Sequence, residues 1–198
     1  GAVQGITEYL PVSSSAHLIL LPKFLGQSDP GLTFDVFLHI GTLASTLIYF
    51  WKDWVKVLRT LPGLGGSVRR EVPESMSWKL LVVSTVPALL AGALLHGFIK
   101  TTFRGTSVMV VTLIVGGAAL YLSDLYCRRG RDLSSARMKD AFWIGVAQCF
   151  ALVPGMSRSG STMTGGRLLG FDRPSAARFS FLMSAPVTAA AVVFELRH

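Results

Sequence analysis

The sequence predicts an all-α protein that crosses a membrane several times. Of its 198 residues, 51% are hydrophobic and 15% are charged, and its mean hydropathy of +0.51 lies well above that of a soluble domain. Several apolar stretches are long enough to cross a hydrocarbon layer of ~30 Å at ~1.5 Å per helical residue. Two polar segments with matching patterns interrupt this apolar chain. These three observations favour a polytopic membrane protein built from two related halves.

Four apolar stretches are predicted to be spans. The clearest cover 78–99 and 107–126, and two shorter ones cover 34–51 and 179–194. Residues 1–198 are expected to form one integral membrane domain. Because the chain begins without Met inside a patterned segment and stops just after an apolar run, we expect it to be a fragment of a longer chain.

The basic residues indicate the orientation of these spans. A net charge of +8 would suggest nucleic acid as the partner of a soluble protein, but here the basic residues cluster between the spans. Two spans separate the loop after the first span from the loop after the third, so both loops share a side, which the positive-inside rule makes cytoplasmic. We therefore expect contact with the membrane surface and no nucleic-acid partner. The basic residues of the two loops are Lys52, Lys56, Arg59, Arg69, Arg70, Lys79, Arg128, Arg129, Arg131, Arg137 and Lys139.

Two pairs of similar segments indicate an internal repeat. The stretch "EYLPVSSSA" near the start resembles "ALVPGMSRSG" at 151–160, and "FLHIGTLAS" at 37–45 pairs with "FLMSAPVTA" at 181–189. Both pairs have nearly the same offset along the chain. The agreement predicts a duplicated half, with repeat 1 at about 1–51 and repeat 2 at about 141–198.

Three predicted spans lie between the repeated polar motifs, and an odd number of crossings inverts the second copy. In inverted repeats the binding site commonly lies near the membrane midplane, where broken helices meet and their N-terminal ends hold anions. Residues 1–25 and 141–170 each contain two short apolar arms around an elbow of Pro, Ser and Gly. The sequence therefore predicts two re-entrant helix hairpins that meet near the midplane.

The first elbow carries an acid, three serines and a histidine. Gln4 and Glu8 share one helix face at the i, i+4 spacing, Pro11 ends the arm, and the serines at 13–15 and His17 follow. An intramembrane acid and imidazole are costly unless paired or hydrated, which favours a functional site. The alternative is that Glu8 is an interfacial charge and His17 a packed core histidine.

The second elbow, "PGMSRSGST" at 154–162, surrounds Arg158 with hydroxyl side chains. If a helix begins after this turn, its free N–H groups, the hydroxyls and the guanidinium direct donors toward one point, an arrangement that suits phosphate. The alternative is an N-cap cluster with Arg158 directed at the lipid headgroups.

Together the elbows supply the parts of a phosphoryl-transfer site, namely a nucleophile, a base and a cationic clamp. Glu8, with Gln4 beside it, could also hold a Mg²⁺ or Ca²⁺ ion that bridges to substrate phosphates. The chain contains no G-x-x-x-x-G-K-[ST] sequence, so a nucleotide P-loop is not indicated.

Four motifs resemble the undecaprenyl-diphosphate phosphatase family associated with bacitracin resistance. They are the Q-x-x-x-E of Gln4 to Glu8, "TEYLPVSSSAH", "FDVFLHIGT" and "ALVPGMSRSGST", and the similarity covers nearly the whole chain. The resemblance implies a multi-pass enzyme of the bacterial inner membrane that hydrolyses undecaprenyl diphosphate to undecaprenyl phosphate and inorganic phosphate. This reaction recycles the lipid carrier for peptidoglycan synthesis, and we expect the active site to face the outside, where that carrier is released.

The resemblance also implies roles for individual residues. Position 4 is Gln where other members carry Glu, which shifts the carboxylate role to Glu8. Either Ser14 attacks the terminal phosphorus with His17 as base, or His17 is itself the nucleophile. The implied catalytic residues are Glu8, Ser14, His17 and Arg158; the phosphate-binding residues are Ser13, Gly155, Ser157, Arg158, Ser159 and Thr162; the ligands of the divalent cation are Gln4 and Glu8.

Two other functions fit parts of the pattern. Paired broken helices in an inverted repeat are also typical of transporters, so a flippase for a lipid phosphate or a carrier of an anion is the alternative. A phosphatase of the phosphatidic-acid type needs a histidine a few residues after its Ser-Arg motif, and none follows Arg158 before His198. Two further histidines are discounted: His39 is predicted to pack within the first span, and His96 to lie at the interface.

Overall fold

The computed structural model describes residues 1–28, 32–64, 77–103, 105–127 and 130–195. The predicted all-α fold is confirmed in this part of the chain, which forms nine α-helices and a single isolated bridge between Arg131 and Phe171. The helices are α1 (Ala2–Tyr9), α2 (Ser14–Phe24), α3 (Leu32–Tyr49), α4 (Trp51–Arg59), α5 (Trp78–Thr102), α6 (Thr106–Tyr126), α7 (Met138–Cys149), α8 (Arg158–Leu168) and α9 (Arg173–Glu195). Predictions at Arg69, Arg70, Arg128, Arg129 and His198 lie outside the described residues, as does the side chain of His96.

Among the described residues, three helices are long and apolar enough to cross a membrane, at Trp78–Leu95, Thr106–Tyr126 and Arg173–Val193. A fourth span is available if α3 and α4 are taken together, although the chain bends by 75° between Phe34–Tyr49 and Trp51–Arg59. The bend falls where an apolar sequence gives way to "WKDW", in which Lys52 is exposed and Asp53 is buried against Arg178. The prediction of a polytopic membrane protein is confirmed.

The outer surface of the spans is suited to lipid. Only 11% of the residues in the α6 span and 28% of those in the α5 span are buried inside the protein. Large apolar side chains such as Leu94, Phe98, Val111 and Ile114 project outward. A soluble protein rarely exposes so continuous an apolar surface. The outer surface of these spans therefore suits the hydrocarbon of a bilayer.

Helices α7 and α8 form a hairpin. The Arg131 guanidinium donates to Asp140 at the start of α7, at 2.8 and 3.3 Å, and to the carbonyl of Leu169 just after α8, at 2.9 Å. Both ends of the pair therefore lie at the same face of the protein. This geometry suits the predicted hairpin at 141–170, and its depth in a bilayer stays a prediction.

The first pair of short helices breaks at Pro11. The residue before a proline is driven out of helical conformation, and Leu10 is extended, with φ −76° and ψ 142°. The chain restarts as α2 after Ser13, which has a φ of +62°. The order of α1, α2 and α3 matches that of α7, α8 and α9, two short helices before a long one, as a repeat requires. The repeat and its inversion stay predictions.

The tightest packing lies between α5 and α7. A Cβ added to Gly145 of α7 would lie 2.5 Å from the Ser84 carbonyl oxygen of α5, so this contact requires glycine. Ion pairs at the face predicted to be cytoplasmic join α9 to its neighbours, where Arg178 binds Asp53 of α4 and Arg173 binds Asp124 of α6. The buried core includes Leu80, Ala141, Ile144, Phe171, Phe179, Leu182 and Met183.

Candidate active site

Glu8, at the end of α1, joins the two elbows. Its Oε1 accepts a hydrogen bond from Arg158 Nη2 at 2.5 Å, and its Oε2 accepts one from Ser14 Oγ at 2.6 Å. The carboxylate is largely buried, with 11% of the side chain exposed, and the Arg158 side chain is 18% exposed. A buried carboxylate needs such a cation and such donors. Three residues predicted from two distant motifs therefore meet at one point.

Gln4 and Tyr9 hold the Glu8 helix against α3. Gln4, only 1% exposed, donates its Nε2 to Glu8 Oε2 at 3.3 Å and to Thr42 Oγ1 at 3.2 Å. The Tyr9 hydroxyl donates to the Thr42 carbonyl at 2.9 Å and lies 2.6 Å from Ser45 Oγ. These bonds fix the rotation of α1 and with it the direction of the carboxylate.

The first elbow places Ser14 at the start of α2. Ser13 has a left-handed backbone, which is strained for a residue other than glycine. Its carbonyl accepts hydrogen bonds from the His17 backbone N–H at 3.3 Å and from the His17 ring Nδ1 at 2.8 Å. The Ser14 hydroxyl thus lies at a helix N-terminus, where the backbone favours negative charge.

The second elbow places Arg158 at the start of α8. Ser157 caps this helix, since its Oγ accepts from the Gly160 N–H at 3.1 Å. Ser159 Oγ donates to the Leu10 carbonyl at 3.3 Å and thereby ties the second elbow to the first. Gly155 has a φ of +90°, and a Cβ there would lie 2.7 Å from the Met109 carbonyl oxygen, so the turn requires glycine.

One cavity of about 390 Å³ opens between the elbows. It has a polar side supplied by the two elbows and an apolar side supplied by α9, including Val187 and Val192. Such a cavity can take a phosphate on one side and a hydrocarbon group on the other. The predicted site residues that line it are Glu8, Ser13, Ser14, Ser157, Arg158 and Ser159.

Gly155 and Thr162, both predicted to bind phosphate, do not line this cavity. Gly155 allows the close turn described above. Thr162 is 1% exposed; its Oγ1 donates to the Arg158 carbonyl at 2.9 Å and lies 2.6 Å from Ser180 Oγ of α9. These contacts give both residues a structural part, and their contact with phosphate stays a prediction.

His17 also lies outside the cavity between the elbows, although it is predicted to be the base or the nucleophile. Its ring bonds to the Ser13 carbonyl and borders a different cavity, of about 530 Å³, between α2, α6 and α8. The group within reach of the Ser14 hydroxyl is the Glu8 carboxylate. The geometry therefore makes Glu8, and not His17, the candidate base for Ser14.

His39 of α3, which was predicted to be a packing residue outside the site, instead lines the cavity between the elbows. Its Nε2 lies 3.7 Å from Glu8 Oε2, and its Nδ1 lies 2.7 Å from the Asp35 carbonyl oxygen. That carbonyl can only accept, so Nδ1 carries the proton of the neutral ring and Nε2 faces the carboxylate. Asp35 lines the same cavity. The i, i+4 spacing of Asp35 and His39 places both on one helix face, but it does not show that this face meets Glu8.

Two acidic residues, Glu8 and Asp35, line the cavity. Mg²⁺ at phosphate sites is commonly held by one or two carboxylates together with the substrate's own oxygens. Gln4, the other predicted ligand, does not line the cavity and directs its Nε2 donor at Glu8. Within the described ranges, no cluster of three or more His, Cys, Asp and Glu side chains could hold a metal ion. The donors therefore fit a cation shared with substrate phosphates better than an all-protein site.

Comparison with known proteins gives a consistent result over the whole chain. The family model described as bacitracin resistance protein BacA matches residues 1–198. An undecaprenyl-diphosphatase of Gemmatimonas aurantiaca is 50% identical over 196 residues, which cover 99% of this chain and 73% of that protein. Undecaprenyl-diphosphatases of Desulforudis audaxviator and Moorella thermoacetica are each 44% identical, over 99% and 100% of this chain and 73% and 74% of their own lengths. The chain belongs to the BacA family of bacitracin resistance proteins.

Proposed function

We propose that this protein is an undecaprenyl-diphosphatase. It hydrolyses undecaprenyl diphosphate to undecaprenyl phosphate and inorganic phosphate, recycles the lipid carrier for peptidoglycan synthesis and thereby gives resistance to bacitracin. Relatives with that name match nearly the full chain at up to 50% identity. The observation that carries the proposal is the contact of Ser14 and Arg158 with the two oxygens of Glu8.

In the first step, Ser14 Oγ attacks the terminal phosphorus while Glu8 accepts the hydroxyl proton. A bond forms between Oγ and phosphorus, the bond from phosphorus to the bridging oxygen breaks, and undecaprenyl phosphate leaves. Arg158 exchanges its contact with Glu8 for the phosphoryl oxygens and stabilises the charge of the transition state. The N-terminal N–H groups of α2 and α8 add further donors.

In the second step, water attacks phosphoserine 14. Glu8, which is protonated after the first step, must first release its proton to solvent or to His39 Nε2, 3.7 Å away, and then acts as the base for the water. The phosphorus–Oγ bond breaks, Glu8 passes the proton taken from water to Oγ, and inorganic phosphate is released. His39 thus supports Glu8 by accepting its proton.

His17 is expected to act as a positioning residue, through the Ser13 carbonyl. Loss of its ring in His17→Ala frees the strained elbow, and a small misplacement of Ser14 is expected to lower kcat about 100-fold. His17→Asn keeps a donor for the same carbonyl and is expected to recover much of that loss. Phosphate release by the two variants across pH tests this. If His17→Asn is as inactive as His17→Ala and the pH profile loses a limb, His17 is instead a titrating catalytic group.

A divalent cation, Mg²⁺ or Ca²⁺, is proposed to bind Asp35 together with the substrate phosphates, while Glu8 beside it serves as the base; the cation would neutralise diphosphate charge. EDTA is then expected to lower turnover. Asp35→Asn is expected to raise the Mg²⁺ concentration for half-maximal rate about tenfold. A titration of Mg²⁺ against the initial rate measures both. Full activity in EDTA, or an unchanged Mg²⁺ dependence in Asp35→Asn, would show that no divalent cation acts at this site.

The site is proposed to face the outside of the bacterial inner membrane, with undecaprenyl diphosphate entering from the bilayer. The function is tested by phosphate release from this lipid by the purified protein in detergent. Release by the wild type, and its loss in Glu8→Gln, is the expected result. A folded wild type that binds the lipid and releases no phosphate would favour the alternative of a lipid-phosphate transporter.

A further inference from the structure

In the described part of the chain, buried polar groups of Gln148, Arg158 and Ser161, all at or near the second elbow, lack a protein partner. Gln148 and Arg158 share one cavity, which Ser161 does not line. Gln148 of α7 is only 2% exposed, and in the part of the chain that the structure describes neither its Nε2 nor its Oε1 has a hydrogen bond. The second terminal nitrogen of Arg158, Nη1, is likewise buried and unpartnered there. Buried polar groups in native proteins are nearly always satisfied, so each of these requires an explanation.

Both groups line one cavity of about 370 Å³ between α5, α7 and α9. Gln148 follows Gly145 by three residues and shares its helix face, and Gly145 packs directly on α5. The amide is therefore directed at the α5 side of α7. The remaining wall is apolar and includes Ala88, Leu89, Gly92, Leu152 and Ala190.

The cavity between α5, α7 and α9 adjoins the cavity of the active site. Ala151, Val187, Ala191 and Arg158 line both cavities. Arg158 therefore lies on the boundary, with Nη2 on the Glu8 carboxylate and Nη1 unpaired. A ligand with two linked anionic groups and an apolar tail would satisfy both nitrogens at once.

We propose that the cavity between α5, α7 and α9 binds the inner, carbon-linked phosphate and the first isoprene units of the lipid. Gln148 Nε2 and Arg158 Nη1 donate to the oxygens of the inner phosphate, and the apolar wall receives the start of the tail. The inference rests on the proposed function, because it names where the leaving group of that reaction lies. Gln148 is accordingly a substrate-binding residue.

Two apolar replacements of similar size, Gln148→Leu and Gln148→Met, test the role of the amide. A hydrogen bond to a charged phosphate is lost, so KM for undecaprenyl diphosphate and the inhibition constant of the product undecaprenyl phosphate are expected to rise about 10- to 100-fold. The inhibition constant of inorganic phosphate is expected to stay unchanged, since that product occupies the Ser14 side alone. The Tm of both variants is expected to equal or exceed that of the wild type, because an unsatisfied amide is removed.

Other outcomes decide against the proposal. If the wild type releases phosphate and undecaprenyl phosphate inhibits both Gln148 variants as strongly as the wild type, the proposal is overturned and the proposed function stays intact. A Tm well below that of the wild type in both variants would show that the amide has a structural partner, and it would also overturn the proposal. A wild type that releases no phosphate refutes the proposed function itself.

A matched pair of glycines tests the position of the tail. Gly92 lines the proposed cavity, and Gly117 lines the larger cavity between α2, α6 and α8. An added Cβ at Gly92 meets only Leu152 Cδ2, at 3.6 Å, and one at Gly117 meets nothing within 4 Å, so both accept a side chain. Gly92→Leu is expected to weaken inhibition by undecaprenyl phosphate about tenfold, the scale of losing two or more buried methylenes of contact, and Gly117→Leu to leave it unchanged. The reverse result would place the tail in the larger cavity and contradict the proposal.

Discussion

Ser14→Ala is expected to lower phosphate release by about 10⁴-fold or more, the scale of losing a nucleophile that acts with its base as a unit. The hydroxyl donates to Glu8 at 2.6 Å, and alanine leaves the carboxylate without an oxygen to activate. Binding of undecaprenyl diphosphate should persist, since Arg158 and the helix N-termini are retained. Initial rates and equilibrium binding in the same detergent measure the two effects separately.

The matched control is Ser161→Ala. Ser161 lies on α8 and lines the cavity between α2, α6 and α8. The variant therefore loses a serine hydroxyl at a position away from Glu8. Its turnover is expected to remain close to that of the wild type. Substantial phosphate release by Ser14→Ala would show that water attacks the lipid directly or that another residue is the nucleophile.

Arg158→Ala is expected to lower kcat by about 10³- to 10⁵-fold, the range for an arginine that stabilises phosphoryl transfer. The same change leaves the largely buried Glu8 carboxylate without its cation. Breaking a buried pair in this way is expected to lower the free energy of unfolding by about 3–5 kcal/mol. Activity and thermal stability of the purified variant give the two quantities.

A double variant separates catalysis from stability. Arg158→Ala combined with Glu8→Gln removes the unpaired charge, so we expect its Tm to recover toward the wild type while turnover stays lost. Recovery of turnover together with Tm would mean that Arg158 matters only for folding, and that the clamp on the phosphate is wrongly assigned.

The sequence was sufficient for the features that depend on short-range spacing. Pro11 in a helical arm predicts a break whatever surrounds it, and α1 ends before it. Apolar length alone predicts the spans, which the structure places within a few residues of 78–99 and 107–126. The assignment of Glu8 and Arg158 to one site followed from the cost of an intramembrane acid and from the complementary chemistry of the two elbows. Their direct ion pair was not predicted.

The assignment of the histidines depended on tertiary rotation and could not be predicted. His17 and His39 have the same local geometry, with Nδ1 on the carbonyl four residues earlier. Which ring faces Glu8 is decided by how α1 packs on α3 through Gln4 and Thr42. No spacing within either motif contains that information. Gln148 was missed for a similar reason. A single amide in an apolar helix does not indicate a binding residue, and only the cavity beside Gln148 does so.

The central claim is that phosphate passes through Ser14. Rapid mixing of the wild type with undecaprenyl diphosphate labelled in the terminal phosphate, followed by acid quenching and mapping of the labelled peptide, tests it most directly. The account predicts acid-stable phosphate on the peptide that contains Ser14, which forms before inorganic phosphate appears. Acid-labile phosphate on a histidine, or complete release of inorganic phosphate with no label on the protein at any time, would contradict it.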